Sequence, residues 1–457
     1  MDDRKVVHLV DRDYPPLGRG EYDAILFGVG FRECLLASLL IQRKKRVLII
    51  SKKQQFAWDN TSFDLLKLFS RFREEEPTDE DFEALGSNKA YHIDLIPKVI
   101  VAYGSMARLL REIGVYDSLE LQPIDLHMAY SGRSKKIGRL PSSPEDASRS
   151  SVLSIMQRIR CRSLLQSVQE QCEEKPPEAG VAKLPLSNAT MEDTYHKFTI
   201  SEGTQAMIGH GLALYENDDY QEEEARATFD RIDTYMRSGG HPFLYPVGGK
   251  QSLCNVLQPL LQASELCDVM LKQTSKQLVF ENNHICGVVV GDRAARAPVV
   301  VGDTTWFRED RQKKTGKAIR SICLLNHPVE GCEPGKSSVS SFFRKQLVKA
   351  GYKPHEADIS VLCLPWTLKI CPKGIYVAVI ATTVETQKPE KELKPVLDVL
   401  GTVLERFDAV TTLYRVKKAT KRQGIFIFTS PNASISLDGV ADDIFEIADA
   451  ITNPVLV

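Results

Sequence analysis

Two glycines near the start of the chain have the spacing of a phosphate-binding turn. Gly28 and Gly30 follow an apolar segment, residues 22–27, and precede a segment with helical apolar spacing. Such a turn can hold the pyrophosphate of a dinucleotide at the helix N-terminus. The full fingerprint also needs a third glycine and, about 20 residues further on, an acidic residue for the ribose. Glu33 and Ser51 stand at those two places. The residues therefore favour the fold but not the nucleotide, and we expect no cofactor.

Other catalytic or metal-binding chemistry has no motif in this sequence. There is no GxSxG elbow, P-loop or HExxH segment. The nine histidines are dispersed, and the ten cysteines form neither a CxxC pair nor a cluster with metal-ligand spacing. We therefore predict a protein that is not an enzyme and has no metal site.

The elements around the glycine turn form a strand–helix–strand opening. Cys34, Leu35, Leu39 and Leu40 recur at helical spacing, and residues 47–50 are short, apolar and β-branched, as in a buried parallel strand. The pattern next predicts a helix with Val99, Ile100, Leu109, Leu110 and Ile113 on its apolar face, and later a helix over residues 394–407.

From residue 150 the pattern becomes helical. Apolar residues keep a period of about 3.6 across several turns, and they are Val152, Ile155, Met156, Ile159, Leu164, Leu165 and Val168. Strand patterns return after residue 242. We therefore predict an N-terminal extension over 1–20, either packed or loose, a discontinuous flavoprotein-like α/β domain over 21–149 and 237–457, and an inserted all-helical domain over 150–236.

Composition limits the function classes. A chain of 457 residues suits two or three domains, and 59 basic against 60 acidic residues leave a net charge of −1. Nothing global points to nucleic acid or to a membrane surface. Scattered cysteines in apolar runs favour reduced thiols, and no signal or membrane-spanning segment is recognisable. We expect a soluble, cytoplasmic protein.

Six segments, in this order along the chain, resemble the Rab GDP-dissociation inhibitor and Rab escort protein family. They are EYDAILFGVGFREC, YHIDLIPK, MEDTYHKF, GHGLALYENDDY, HPFLYP and ATTVETQKPEKE. The fourth and sixth look like the inhibitor branch. The resemblance implies a flavoprotein architecture that binds no flavin, and GxGxxE-C is the family's usual opening, so Glu33 is expected there.

The resemblance also implies a function. Members bind prenylated Rab GTPases in the GDP state, extract them from membranes and keep them soluble, with transient contact to the membrane. Exposing a geranylgeranyl chain to water costs about 0.8 kcal/mol per CH₂. The helical domain would take the lipid, and five apolar residues could equally line that pocket or fill a plain core. These are Ile155, Met156, Ile159, Ile208 and Leu212.

The family's Rab-binding platform maps onto altered residues. Its glutamate, glutamine and arginine fall on Ser252, Asn255 and Pro259, which removes two charged contacts worth about 1.5–3 kcal/mol each. The other matching positions are Phe56, Asp59, Ser62 and Met270 on the platform and Arg237 and Phe243 on the mobile loop.

Two interpretations of these changes stay open. The protein either serves a diverged set of GTPases, or is a paralogue that became a non-enzymatic scaffold subunit of a larger assembly. An escort protein or a flavin-dependent oxidoreductase is a weaker alternative.

Overall fold

A computed structural model describes residues 6–54, 56, 62–73, 77–172, 189–274, 276–307, 311–430 and 432–453. The strands in these ranges, in chain order, are β1 Val7–Leu9, β2 Arg12–Tyr14, β3 Pro16–Glu21, β4 Ala24–Phe27, β5 Val47–Ile50, β6 Ser62–Phe63, β7 Ile93–Asp94, β8 Ile100–Val101, β9 Leu121–Pro123, β10 Leu126–Ser131, β11 Lys136–Arg139, β12 Phe243–Pro246, β13 Cys267–Met270, β14 Gln277–Glu281, β15 His284–Val290, β16 Arg293–Arg296, β17 Val300–Gly302, β18 Gln312–Leu325, β19 Ser338–Phe342, β20 Ile359–Pro365, β21 Tyr376–Thr383, β22 Glu405–Val416 and β23 Ile425–Ile427.

The α-helices of the same ranges are α1 Phe31–Gln42, α2 Leu65–Phe72, α3 Asp79–Leu85, α4 Ser105–Ile113, α5 Pro144–Arg149, α6 Ile155–Cys172, α7 Met191–Phe198, α8 Glu202–Ala206, α9 Ala225–Arg237, α10 Lys250–Ala263, α11 Arg344–Lys349, α12 Pro389–Glu392, α13 Lys394–Leu400, α14 Lys418–Lys421 and α15 Asp438–Thr452. A π-helical segment, Met207–Leu212, continues α8.

A parallel sheet carries the glycine turn. Its strand order is β13-β5-β4-β17-β23, and every neighbouring pair is parallel. β4 and β5 are buried at every residue, which explains their continuous apolar sequences. Helices α1, α4, α10 and α15 share a core with one face of the sheet, and β15 and β16 share a core with the other. This is the predicted α/β layering.

A larger sheet of mixed direction adjoins the first. Its order is β11-β10-β19-β20-β21-β18-β22, with β10 and β19 parallel and the other pairs antiparallel. The helices α6, α7 and α9 and the π-helical segment share a core that also includes Ala129, Leu140 and Phe343 from beside this sheet. The predicted domain boundaries at 150 and 236 stay a prediction.

Two predicted helices differ from the structure. Val99 and Ile100 are not on a helix, because Val99 forms a parallel bridge with Ser436, Ile100 lies in β8, and α4 begins at Ser105. The helix predicted over 394–407 ends at Leu400, and Phe407 lies in β22. Short apolar runs fit either structure, so periodicity alone could not separate them.

The long helix α6 is apolar on two faces rather than one. Ile155, Met156 and Ile159 are 70%, 57% and 60% exposed, whereas Leu164 and Leu165 are fully buried. At about 100° per residue, Leu164 lies roughly half a turn around the helix from Ile155. The single apolar stripe predicted for this helix is therefore wrong.

The described part of the N-terminal extension is packed. Strands β1 and β2 form an antiparallel hairpin, and Val7 and Leu9 share a small core with Cys286, Val289 and Ala294. Contact is close, because a β-carbon added at Gly287 would come 2.8 Å from Leu9 Cδ2. The extension therefore covers a sheet face that would otherwise expose apolar side chains.

Across the ranges described above, no helix combines the length and apolar character needed to cross a membrane. The same ranges contain no group of three or more His, Cys, Asp or Glu side chains placed to hold a metal ion.

We predict that Leu9→Ala increases local opening of the N-terminal hairpin, because Leu9 is only 2% exposed. A loss of about 2 kcal/mol should make amide hydrogen exchange in β1, β15 and β16 roughly 30-fold faster. Val6→Ala is the matched control, since Val6 is 56% exposed and its truncation should change exchange little. Equal exchange in both variants would contradict the packed hairpin.

Candidate functional site

The glycine turn is filled by a side chain of its own helix. Gly28 has a φ of +119°, and Gly30 is the N-cap of α1. A β-carbon added at Gly30 would come 2.5 Å from Glu33 Oε2, and one at Gly28 would come 3.1 Å from Glu33 Oε1. The Glu33 carboxylate therefore occupies the concave side of the turn, where the fold would place a pyrophosphate.

The charge of Glu33 is costly in this place. Burial raises its pKa from 4.5 to about 7, although backbone N–H groups of Glu33 and Gly30 favour the ionised form. Ser51, at the end of β5, is 2% exposed and accepts a hydrogen bond from the Lys53 N–H at 3.1 Å. It offers no carboxylate to a ribose. The residues present do not fit a dinucleotide or a flavin, because the Glu33 carboxyl group fills the turn and position 51 has no carboxylate for a ribose.

Asp94 links the region that follows the N-terminal strand–helix–strand unit to the start of helix α10. This carboxylate is 2% exposed and accepts hydrogen bonds from Ser62 Oγ at 2.7 Å, Tyr245 Oη at 2.8 Å and the Lys250 N–H at 3.1 Å. Phe56 is 7% exposed and belongs to the core around α1. Asp59 lies outside the described residues. Ser62 is thus positioned beside the start of α10.

Helix α10 presents the next three predicted partner positions on one side. Ser252, Asn255 and Pro259 are three and four residues apart, and the last two are exposed. Ser252 Oγ donates to the Gly249 carbonyl at 2.8 Å. Pro259 lies inside the helix and has no N–H for the Asn255 carbonyl. This side of α10 therefore offers polar, uncharged groups and a carbonyl acceptor.

Met270 is not on that side. It is half-buried at the end of β13 and packs in the core on the opposite face of the parallel sheet from α10. A β-carbon added at Gly18 would come 3.2 Å from its Cε. The structure therefore brings Ser62 and the start of α10 together and places Met270 elsewhere.

The two predicted mobile-loop residues differ in exposure. Arg237 ends α9, and its Nε donates to Asp233 Oδ2 at 2.6 Å. Phe243 begins β12, is 3% exposed and packs edge-on against His127 with ring centroids 4.9 Å apart. Only the arginine is at the surface in this conformation.

The five predicted lipid-contact residues do not share one surface. Ile155, Met156 and Ile159 form an exposed apolar patch on α6, called the α6 patch below. Ile208 and Leu212 are fully buried in the core of the helical region. Their apolar spacing could not reveal this difference, because a core face and a binding face have the same periodicity.

His210 joins the helical region to the large sheet. Its Nδ1 lies 2.6 Å from Asp358 Oδ2 and its Nε2 lies 3.0 Å from Asp218 Oδ1. Arg344 also contacts Asp218, and its backbone N–H donates to Asp358 Oδ1 at 2.8 Å. Burial disfavours the charged imidazole, but the hydrogen bond and charge of Asp358, together with Asp218, outweigh it and raise the pKa of His210.

Sequence reasoning missed Asp94 and His210 as organising residues. Both lie in segments that were recognised, YHIDLIPK and GHGLALYENDDY. A charged residue between apolar ones in a buried strand was the available signal for Asp94, because buried charges need partners.

Comparison with known proteins gives one consistent result. The family model described as "GDP dissociation inhibitor" matches residues 19–457. The Schizosaccharomyces pombe protein "Probable secretory pathway GDP dissociation inhibitor 1" is 32% identical over 445 residues, covering 96% of this chain and 97% of its own. The Saccharomyces cerevisiae "Rab GDP-dissociation inhibitor" is 29% identical, with 96% of each chain covered.

Solved structures agree with the predicted fold class. A crystal structure of RAB GDI from Plasmodium falciparum aligns with a TM-score of 0.83 at 27% identity, covering 94% of this chain and 97% of that one. An oxidoreductase from Methanosarcina mazei aligns with a TM-score of 0.56 at 13% identity, covering 93% and 99%. The second likeness shows a shared fold only, and the flavoprotein-like fold is confirmed.

We predict that Glu33→Gln removes a pH dependence of stability. Because the folded pKa of Glu33 is raised, its contribution is fully present below pH 4.5 and is lost as pH rises through about 7. Between pH 4.5 and 8 the free energy of unfolding of the variant should gain about 3 kcal/mol relative to the wild type. Urea unfolding across this range measures the difference. Glu83→Gln, on an exposed position of α3, is the control, and parallel curves for Glu33→Gln and the wild type would contradict the assignment.

A second prediction concerns His210→Gln. The raised pKa means that the stabilisation is complete below pH 6.5 and is lost as pH rises through the folded value. The variant should therefore lose about 1–3 kcal/mol of unfolding free energy at pH 6 and less at pH 9. Urea unfolding at the two pH values tests this. His196→Gln, whose side chain is 80% exposed, should change little at either pH, and an equal loss for His210→Gln at both would count against a charged imidazole.

Proposed function

Since the chain belongs to the GDP dissociation inhibitor family, as its motifs predicted, we propose that it binds GDP-bound, prenylated Rab-type GTPases, extracts them from membranes and keeps them soluble. The observation that carries this proposal is the family match over residues 19–457, together with the similarity to a solved Rab GDI over 94% of the chain. These relatives are named GDP dissociation inhibitors, that is, inhibitors of GDP release.

The GTPase would dock beside Asp94. The hydrogen bonds of Asp94 hold Ser62 next to the start of α10, the helix that also carries Ser252 and Asn255. These groups are polar and uncharged. The partner GTPase should therefore contribute hydrogen-bonding groups rather than an isolated charge, because a buried unpaired charge would be costly.

The α6 patch would contact the lipid. Ile155, Met156 and Ile159 are each more than half exposed, although large apolar side chains usually favour the interior. A prenyl chain lying on the patch would bury these side chains and its own CH₂ groups, each worth about 0.8 kcal/mol. Ile208 and Leu212 would support the helices from within the core.

We also propose that the protein has no catalytic activity and no flavin. Glu33 fills the turn that would hold a pyrophosphate, and Ser51 stands where a ribose ligand would be needed. The protein would act from the cytoplasm and contact membranes only while loading or releasing its partner.

The altered α10 residues support a second candidate, a GDI-like scaffold subunit of a larger assembly. Ser252, Asn255 and Pro259 lack the charges of the family's platform. A scaffold would keep the fold and the packed N-terminal hairpin while losing exchangeable GTPase binding. A native pull-down that returns a complex of fixed stoichiometry without any GTPase would favour this candidate.

We predict that Ile155→Asn combined with Ile159→Asn reduces extraction of prenylated GTPases from membranes by roughly tenfold or more, because the α6 patch loses its apolar surface. Membranes carrying GDP-loaded prenylated Rabs are mixed with the protein and pelleted, and the supernatant is assayed. Binding of the same GTPase without its lipid should be unchanged.

Val348→Asn is the matched control, since Val348 is 46% exposed and lies on α11 rather than on α6. Equal extraction by the patch variant and the wild type would exclude the patch as the lipid contact. Failure of the wild type to release any Rab from a broad panel would instead overturn the chaperone proposal itself.

A further inference from the structure

The last strand of the large sheet, β22, has an open outer edge. Within the described residues it pairs with β18 and with no other strand. The Tyr414 N–H points away from β18 and donates to Ser430 Oγ at 3.0 Å. Backbone groups alternate between the two edges of a strand, so those of Val410 and Thr412 point the same way. They have no hydrogen-bond partner among the described residues. Such an edge can accept another strand.

The usual devices that protect a sheet edge are missing from this part of β22. Natural edge strands are kept short, are covered, or carry charges, prolines or bulges. Residues 409–413 read AVTTL, without a charge, glycine or proline, and Val410 is 49% exposed. The register irregularity of the pair lies on β18, between Lys314 and Gly316. Since β-branched residues favour extended backbone, residues 409–413 are a regular template for an added strand.

The end of the β18–β22 pair is strongly basic. Residues 311–317 and 411–422, called the basic end below, contain nine Lys or Arg residues and no Asp or Glu. Six of the nine are exposed and have no ion-pair or hydrogen-bond partner for their side chains among the described residues, namely Lys313, Lys314, Lys317, Arg415, Lys417 and Arg422. Lys421 pairs with Glu446. Glu309 and Asp310 precede the first segment and lie outside the described residues.

The positive charges of the basic end repel one another. Lys313 lies directly opposite Arg415 in the register of the two strands, and like charges in opposite positions destabilise a sheet. Lys314 lies opposite Tyr414, the neighbour of Arg415, and so projects from the other face of the pair. Both faces are therefore basic, and an anionic partner would relieve the repulsion on each.

The open edge and the basic end together define one kind of partner. We propose that β22 binds an extended acidic segment of another polypeptide, which joins the large sheet as an added strand. Hydrogen bonds to the backbone of Val410 and Thr412 would hold the segment. Because successive side chains of a strand point to opposite faces, consecutive carboxylates would reach both faces of the basic end. The proposal uses no residue assigned above to the GTPase or to the lipid.

Other anionic partners match only part of this surface. A nucleic acid or an anionic membrane would meet the basic end but would leave the open edge unused. A second copy of this chain could pair edge to edge, but the carboxylates on its β22 are already engaged. Asp408 pairs with Arg406 at 2.7 Å, and Glu405 pairs with Arg73.

Fluorescence anisotropy with the full chain and labelled, end-blocked peptides tests the proposal at low ionic strength. The acidic probe has four glutamates followed by alternating threonine and valine. A lysine probe replaces the glutamates with lysines, and a proline probe keeps the glutamates but replaces every threonine and valine with proline. We expect the acidic probe to bind at least tenfold more tightly than either. Amide hydrogen exchange at Val410 and Thr412 should slow at least tenfold at saturation, because both N–H groups become hydrogen-bonded.

Two variants separate the edge from the charges. Val410→Pro removes an outward N–H at an edge position, where proline is tolerated, and should weaken binding at least tenfold. Lys313→Gln combined with Arg415→Gln should weaken binding roughly tenfold, because two charges beside the carboxylates are lost. The matched control is Arg133→Gln combined with Lys135→Gln, which removes two exposed charges at the turn between β10 and β11, at the opposite edge of the same sheet.

Absence of binding by the acidic probe would overturn the proposal, as would equal affinity for the acidic and proline probes or equal losses in the two charge variants. Tighter binding to phosphatidylserine vesicles than to the acidic probe would assign the basic end to a membrane instead. A dimer that Val410→Pro dissociates would assign the edge to a second copy, and either result also overturns the proposal. The proline probe leaves the protein unchanged, so the test holds even if Val410→Pro does not fold.

Discussion

The candidate docking surface depends on one buried carboxylate. Asp94 accepts hydrogen bonds from Ser62, Tyr245 and the backbone N–H of Lys250, all of which are distant from it in the sequence. Burial raises the pKa of Asp94, so its ionised form is stable only while these donors stay in place. The close approach of the backbone to Asp94 also requires glycine at position 249. Gly249 has a φ of +71°, and a β-carbon added there would lie only 3.2 Å from the carboxylate oxygens. The position of α10 relative to the opening unit follows from this cluster.

A second carboxylate, that of Glu33, fills the place where this kind of fold would hold a pyrophosphate. The N-terminus of α1 favours an anion, and Glu33 places its carboxyl group there from within the same helix, although burial raises its pKa to about 7. A phosphate would have to displace a tethered group that is already in position. The parallel sheet and the glycine turn are therefore kept, while Glu33 occupies the position of the phosphate.

The sequence was sufficient for the elements that depend on local pattern. The glycine turn, the buried strands β4 and β5 and the helical character of the inserted region follow from residue type and spacing. Exposure did not follow, because Ile155 and Leu164 lie on opposite faces of α6 although both fit a helical period. The short apolar run at Val99 fitted a helix as well as a strand, so its pattern could not decide between them. The partners of Asp94 and His210 depend on contacts across the chain, which no local pattern contains.

The two faces of α6 would separate stability from the proposed lipid binding. Leu164, Leu165 and Val168 fill the core of the helical region, and His210 fastens that region to the large sheet. Because the α6 patch is on the other face, the proposed lipid contact would leave the core side chains in place. Fully burying an exposed side chain of this size would contribute about 1.5–3 kcal/mol, so burial of the patch would favour association. A pocket built from Ile208 and Leu212 would instead have to open the core first, at a comparable cost for each residue exposed.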